Sequence, residues 1–113
     1  MTSTDRFNAT VESAGWGSAI RMRGTVDRAA IEKLDAAYEE ACEHPGEIRL
    51  DFNDVDYINS TGIALIVGLL ARARSTGKLV GAFGLTDHYR EVFEITRLSD
   101  FMHIYDDANM HNR

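Results

Sequence analysis

Cysteine, proline and tryptophan each occur once in the 113 residues, and 12 basic residues stand against 18 acidic ones, for a formal net charge of −6. Each scarcity excludes something. A lone Cys42 cannot close an intrachain disulfide, so it reads as a small buried apolar residue near a helix end. The single proline, Pro45, is followed by Gly46; the pair marks one turn and leaves no Pro-rich linker between domains. Without a basic excess the chain lacks the footprint of a general nucleic-acid binder. The longest apolar run, Gly62 to Ala71, is far short of the about 20 residues a membrane-spanning helix needs, so no membrane insertion is expected. No apolar stretch follows Met1-Thr2-Ser3-Thr4-Asp5, which points away from a signal peptide and toward a cytosolic chain. The sequons Asn8-Ala9-Thr10 and Asn59-Ser60-Thr61 would then meet no glycosylation machinery.

What is present is a core. Leu, Ile, Val and Phe supply 27 of the 113 residues, which argues against disorder. A chain of this length forms one domain, residues 1–113, and buries roughly two thirds of its unfolded surface. Phe7, Ala9 and Val11 alternate with polar residues, as do Ile20 and Met22, and Gly15-Trp16-Gly17 between them predicts a hairpin. Gly24-Thr25-Val26-Asp27 leads out of it, with Asp27 placed to cap a helix carrying Ile31, Leu34, Tyr38 and Ala41. Ile48, Leu50 and Phe52 mark a third strand, with Asn53-Asp54 as a turn after it. A second helix carries Ile63, Ile66, Val67 and Leu70 toward the core and ends at Gly77. Leu79 to Phe83 has no polar face, as a central strand should. Thr86 or Asp87 caps a third helix with Tyr89, Val92, Phe93 and Thr96, and Met102 and Ile104 mark a last strand. The order ββαβαβαβ predicts an α/β fold: a mixed sheet of about five strands, an opening hairpin then parallel strands, with three to four helices. The polar tail, 106–113, is expected to be loose, with room for a helical turn or two.

Most familiar chemistries find no residues. His44, His88, His103 and His111 are scattered without zinc-site spacing, so no metal is expected. Asp51 to Asp56 resembles the start of a calcium loop but lacks the glycine at the sixth position and the glutamate at the twelfth. Ser60 has no nucleophile elbow, Cys42 lies in a helix, and Gly62 and Gly68 are not in a phosphate-loop frame. Neither catalytic residues nor a cofactor are therefore expected.

One segment is distinctive: Asp51 to Gly62, DFNDVDYINSTG. Three short polar residues, Asn59, Ser60 and Thr61, open a long apolar helix. Any of them could cap it, as any α/β protein requires. A hydroxyl at a helix N-terminus is also a favourable place for a phosphate, where free N–H groups and the positive end of the dipole meet it. Ser60, Ala64, Gly68 and Arg72 recur every fourth residue and so share one face of that helix. The small stripe either docks a partner or packs under another helix of the same domain; spacing leaves both open.

At these residues the chain resembles a STAS domain of the bacterial anti-sigma factor antagonist family. Gly24-Thr25-Val26-Asp27 resembles its Gly-x-Leu/Val-Asp turn, and Asp51 through Val55 with Ile58-Asn59-Ser60-Thr61-Gly62-Ile63 resembles its central signature. Gly77-Lys78-Leu79-Val80 and Val92 to Leu98 resemble its later motifs, so nearly the whole chain is covered. The resemblance implies a partner switch. The unmodified antagonist binds an anti-sigma factor that is also a serine kinase, phosphorylation releases it, and a phosphatase resets it. By position, Ser60 matches the phosphoserine with Thr61 as second choice, and Asp27 matches an acidic residue near it. Partner contacts then fall on Asp27, Asn59, Thr61, Gly62, Ala64, Gly68 and Arg72, and the chain acts as a monomer or weak dimer. Two departures stand out: Asn59 replaces the usual Asp before the phosphoserine, and the tail barely allows the fourth helix of many relatives. The alternatives are a constitutive accessory STAS subunit of a membrane transporter ATPase and, more weakly, a nucleotide-binding regulatory domain.

Overall fold

The computed structural model describes residues 6–106. The opening alternation forms the hairpin: β1 (Asn8–Ala14) and β2 (Gly17–Val26) pair antiparallel around Gly15-Trp16. A 3₁₀ turn at Arg28–Ala30 then leads into α1 (Ile31–Cys42), and β3 (Glu47–Ile58) returns beside β2 in parallel. The chain continues through α2 (Ser60–Ser75), β4 (Val80–Phe83), α3 (Asp87–Ile95), a 3₁₀ turn at Leu98–Asp100 and the short β5 (His103–Ile104). The five strands lie in sequence order in one sheet, parallel from β2 onward, with three α-helices among the described residues. This is the mixed α/β architecture expected from the sequence. Residues 107–113, nearly all of the tail, lie outside the described residues, as does His111.

Strand register sorts side chains onto two faces. Ser18 and Ile20 pair with Ile48 and Leu50, which pair with Val80 and Ala82, so these share a face. Onto it pack Leu34, Ala37, Tyr38 and Ala41 of α1, Ile66, Leu69, Leu70 and Ala73 of α2, and Phe93 of α3. Phe93 is fully buried and meets Phe52 edge-on at 5.7 Å between ring centroids. A buried aromatic of this size is worth on the order of 2–3 kcal/mol. Cys42, expected to be buried, is half-buried against this core at the end of α1.

The other face is polar and closes on itself. The Arg49 guanidinium lies 3.9 Å from the Trp16 ring and 4.2 Å from the Tyr105 ring. Arg49 Nε donates to Glu47 at 2.9 Å, and the Tyr105 hydroxyl donates to the same carboxylate. These contacts explain how an arginine can be buried on a sheet face.

Four local expectations change. Asn53-Asp54 is not a turn: β3 runs on to Ile58 because β2 continues beside it, with Arg23 opposite Asp54 and Val26 opposite Ile58. Gly24 lies within β2 at an irregularity in that pairing, with φ +88°, a conformation that favours glycine. Val67, assigned to the core, is exposed; α2 presents Gly62, Ile66, Leu69, Leu70 and Ala73 inward. Leu79 is likewise outside β4 and exposed.

Candidate functional site

Parallel pairing carries the ends of β2 and β3 to the same edge of the sheet, where Val26 lies opposite Ile58. Asp27 and Asn59, the next residue of each strand, therefore sit together above that edge. Asn59 N–H donates to the Val26 carbonyl at 3.3 Å, tying the two exits. Asp27 accepts from Ala29 N–H at 2.9 Å, so it caps the 3₁₀ turn that precedes α1. From α3, the Tyr89 hydroxyl accepts the Ile58 N–H at 2.9 Å and holds the strand end that aims Asn59 and Ser60. The sequence reading placed Tyr89 on an apolar helix face; nothing in its spacing signals this contact.

Of the three candidate caps, Asn59 does the capping. Its Oδ1 accepts from Gly62 N–H at 2.8 Å. Ser60 and Thr61 are thereby the first two residues of the helix, exposed, with neither hydroxyl used by the cap. A phosphate at Ser60 would meet the positive end of α2 without displacing any existing side-chain contact. The asparagine keeps the capping geometry of an aspartate at this position and omits its charge.

The stripe beyond Ser60 divides. Ala64 and Gly68 are exposed, and a Cβ at Gly68 would meet nothing within 4 Å. Among the described residues no helix packs over them, which removes the internal-contact reading of the stripe. Arg72 bends toward α1, 3.0 Å from Asp35 and 3.8 Å from Glu39, with its guanidinium 4.7 Å from the Tyr38 ring. Such half-exposed pairs are worth at most about 1 kcal/mol. Gly62 does not belong to the exposed face. It is buried, and a Cβ there would collide with the Val26 carbonyl oxygen and lie 2.9 Å from Ile58 Cγ2. It permits the close approach of helix and sheet and offers no surface to a partner. The described residues contain no group of three or more His, Cys, Asp or Glu arranged to hold a metal ion.

The paired exits of β2 and β3, the exposed Ser60 and the uncovered Ala64–Gly68 face together make up the candidate site. Comparison with known proteins identifies the class of the domain. The family model for the Mlab, STAS domain matches residues 9–104. The anti-sigma-B factor antagonist of Listeria monocytogenes is 34% identical over 86 residues, covering 75% of each chain. The chain belongs to the STAS domain family. Among solved structures, an anti-sigma factor antagonist from Mycobacterium paratuberculosis superposes with a TM-score of 0.76 at 17% identity, over 93% of this chain and 90% of that one. The Bacillus cell fate determinant SpoIIAA in its phosphorylated form gives 0.68 at 19% identity, over 93% and 97%. At these identities the likeness is one of fold. No helix among the described residues is long and apolar enough to cross a membrane.

Proposed function

We propose that the chain is an anti-sigma factor antagonist working as a partner switch. Unmodified, it docks the N-terminal half of α2 against a serine-kinase anti-sigma factor; phosphorylation of Ser60 releases it and a phosphatase resets it. The observation that carries this reading is the division of labour at the start of α2. Asn59 caps the helix, leaving the exposed Ser60 hydroxyl free beside the open Ala64–Gly68 face. The name of the Listeria relative supports the partner class.

The physics of release is local. A phosphate adds about −1.5 to −2 charges at pH 7. The positive end of α2 accommodates that charge in the free antagonist, so the fold survives modification. A partner surface shaped for a neutral hydroxyl would bury it unpaired, at a cost on the order of 2–5 kcal/mol. Since about 1.4 kcal/mol is tenfold in affinity, no refolding is required. In this reading the chain is substrate and ligand rather than catalyst. ATP and magnesium belong to the kinase, and the site of action is the cytoplasm.

The test uses the serine-kinase anti-sigma factor of the same organism. With ATP, intact mass and site mapping should place one phosphate on Ser60, with Thr61 as the competing site. Ser60→Ala should bind as wild type does, and Ser60→Glu should bind at least about tenfold more weakly. Equal binding by Ser60→Glu, or an unmodified chain held permanently by a transporter ATPase, would overturn the switch.

A further inference from the structure

The exposed side of α2 does not end at Gly68. Beside and beyond it, Val67, Leu70 and Ala71 form one wall of a groove of about 250 Å³, and Leu98 and Phe101 form the other. Val67 is 47% exposed and Phe101 54%, which leaves large apolar side chains facing water on both walls. Arg74 stands at the rim with its guanidinium 5.3 Å from the Phe101 ring centroid. The neighbouring arginines are matched: Arg72 by Asp35 and Glu39, and Arg97 by Asp100. Among the described residues no carboxylate lies within ion-pair distance of Arg74, nor of Lys78 beyond the end of the helix, whose ammonium donates instead to the His44 carbonyl. In a chain of net charge −6, this corner is locally positive.

We propose that this groove is the second anchor of the docking surface and takes a partner segment with a bulky apolar side chain next to a carboxylate. The apolar side chain fills the space between Ala71 and Phe101, and the carboxylate pairs with Arg74. The inference rests on the partner-switch reading for its occupant, the serine-kinase anti-sigma factor, and adds the chemistry by which that partner is chosen. Helical rise gives the geometry: Ser60 and Arg74 are about 21 Å apart along α2, so one partner surface of ordinary size can cover both. Ser60 then decides whether the partner stays, and the groove decides which partner fits. A cation in the last turn of a helix also offsets its dipole. Replacement by lysine keeps that effect and loses the planar guanidinium that lies over Phe101.

The experiment is calorimetric titration of the purified chain with the purified serine-kinase anti-sigma factor at several salt concentrations. Ala71→Asp and Arg74→Glu should each weaken binding about tenfold or more, and Arg74→Glu should flatten the salt dependence. Arg74→Lys should bind within about threefold of wild type, and Arg23→Glu, a charge reversal on exposed β2, should bind as wild type. Thermal melts of each variant separate lost docking from lost folding. If Ser60→Glu binds weakly while Ala71→Asp and Arg74→Glu bind as wild type does, the groove proposal falls and the switch stands. If wild type itself fails to bind this partner, both fall. If the free chain sediments as a dimer that Ala71→Asp dissolves, the occupant is a second copy of the chain and the proposal is overturned.

Discussion

Asn59 concentrates several roles in one residue. Its Oδ1 satisfies the Gly62 N–H, its own N–H joins the Val26 carbonyl, and by capping it frees Ser60. Asn59→Ala should cost about 1 kcal/mol, read as a fall of roughly 4 °C in Tm. Asn59→Asp keeps the acceptor and adds a negative charge at the positive helix end, so it should match or exceed wild type by a few tenths of a kcal/mol. A large loss in Asn59→Asp would mean that the amide group makes a contact the cap does not explain. The sequence narrowed the cap to Asn59, Ser60 or Thr61 and went no further, because all three residue types satisfy the same N–H groups. Choosing among them takes the backbone path out of β3, which Tyr89 helps set from 31 residues away in sequence.

At the scale of the element, α2 carries two glycines with opposite physics. Gly62 lies under the Val26 carbonyl and cannot take a Cβ without moving helix or strand. Gly68 faces open space within the helix. Gly62→Ala should destabilise by about 2–3 kcal/mol through overpacking, and Gly68→Ala should stabilise by about 0.5–1 kcal/mol through helix propensity. Chemical denaturation of the pair checks both signs at once; destabilisation by Gly68→Ala would show that something covers the stripe in the free protein. Periodicity located α2 and its end correctly: Gly77 adopts φ +74°, with Lys78 N–H bonded to the Ala73 carbonyl at 2.8 Å and Gly77 N–H to that of Arg74. It could not rank the glycines, which give no hydrophobic signal, and it misassigned Val67, one residue from the inward-facing Ile66. The far half of β3 was hidden for a related reason. Its exposed Asp54 and Tyr57 pair with Arg23 and Thr25 of β2, which carries the strand through the unpaired Asn53 and Asp56, and local composition there reads as a turn.

Across the whole molecule, one sheet separates an apolar core from a polar face, and the two were unequally legible. The core follows from alternation. The polar face depends on Trp16 of the hairpin turn, Glu47 and Arg49 of β3 and Tyr105 after β5 meeting across three separate segments, which no single stretch of sequence reveals. Gly81 makes room there: a Cβ would lie 2.7 Å from both Glu47 Oε2 and the Tyr105 ring. This face gives the molecule an alkaline limit. Burial pushes the Tyr105 phenol above its ordinary value of 10.0, and the hydrogen bond to Glu47 and that carboxylate's charge push it further. The folded chain thus holds this proton more tightly than the unfolded chain. The resulting stability is fully present below pH 10.0 and is lost as pH rises through the folded value. Burial acts in the same direction on Tyr38, and the neighbouring Cys42 thiol adds to it, although the buried hydroxyl makes no hydrogen bond of good geometry. Tyr105→Phe should lower stability at pH 7 by about 1 kcal/mol, the hydrogen bond to Glu47, and weaken the loss above pH 10. Tyr38→Phe should cost little at pH 7, because no hydrogen bond of good geometry is lost, and should weaken the same alkaline loss. Urea midpoints between pH 7 and 11.5 would separate the two. If Tyr105→Phe followed the wild-type curve at every pH, the Trp16–Arg49–Tyr105 stack would hold this face together without help from the phenol, and the alkaline limit would belong to Tyr38 alone.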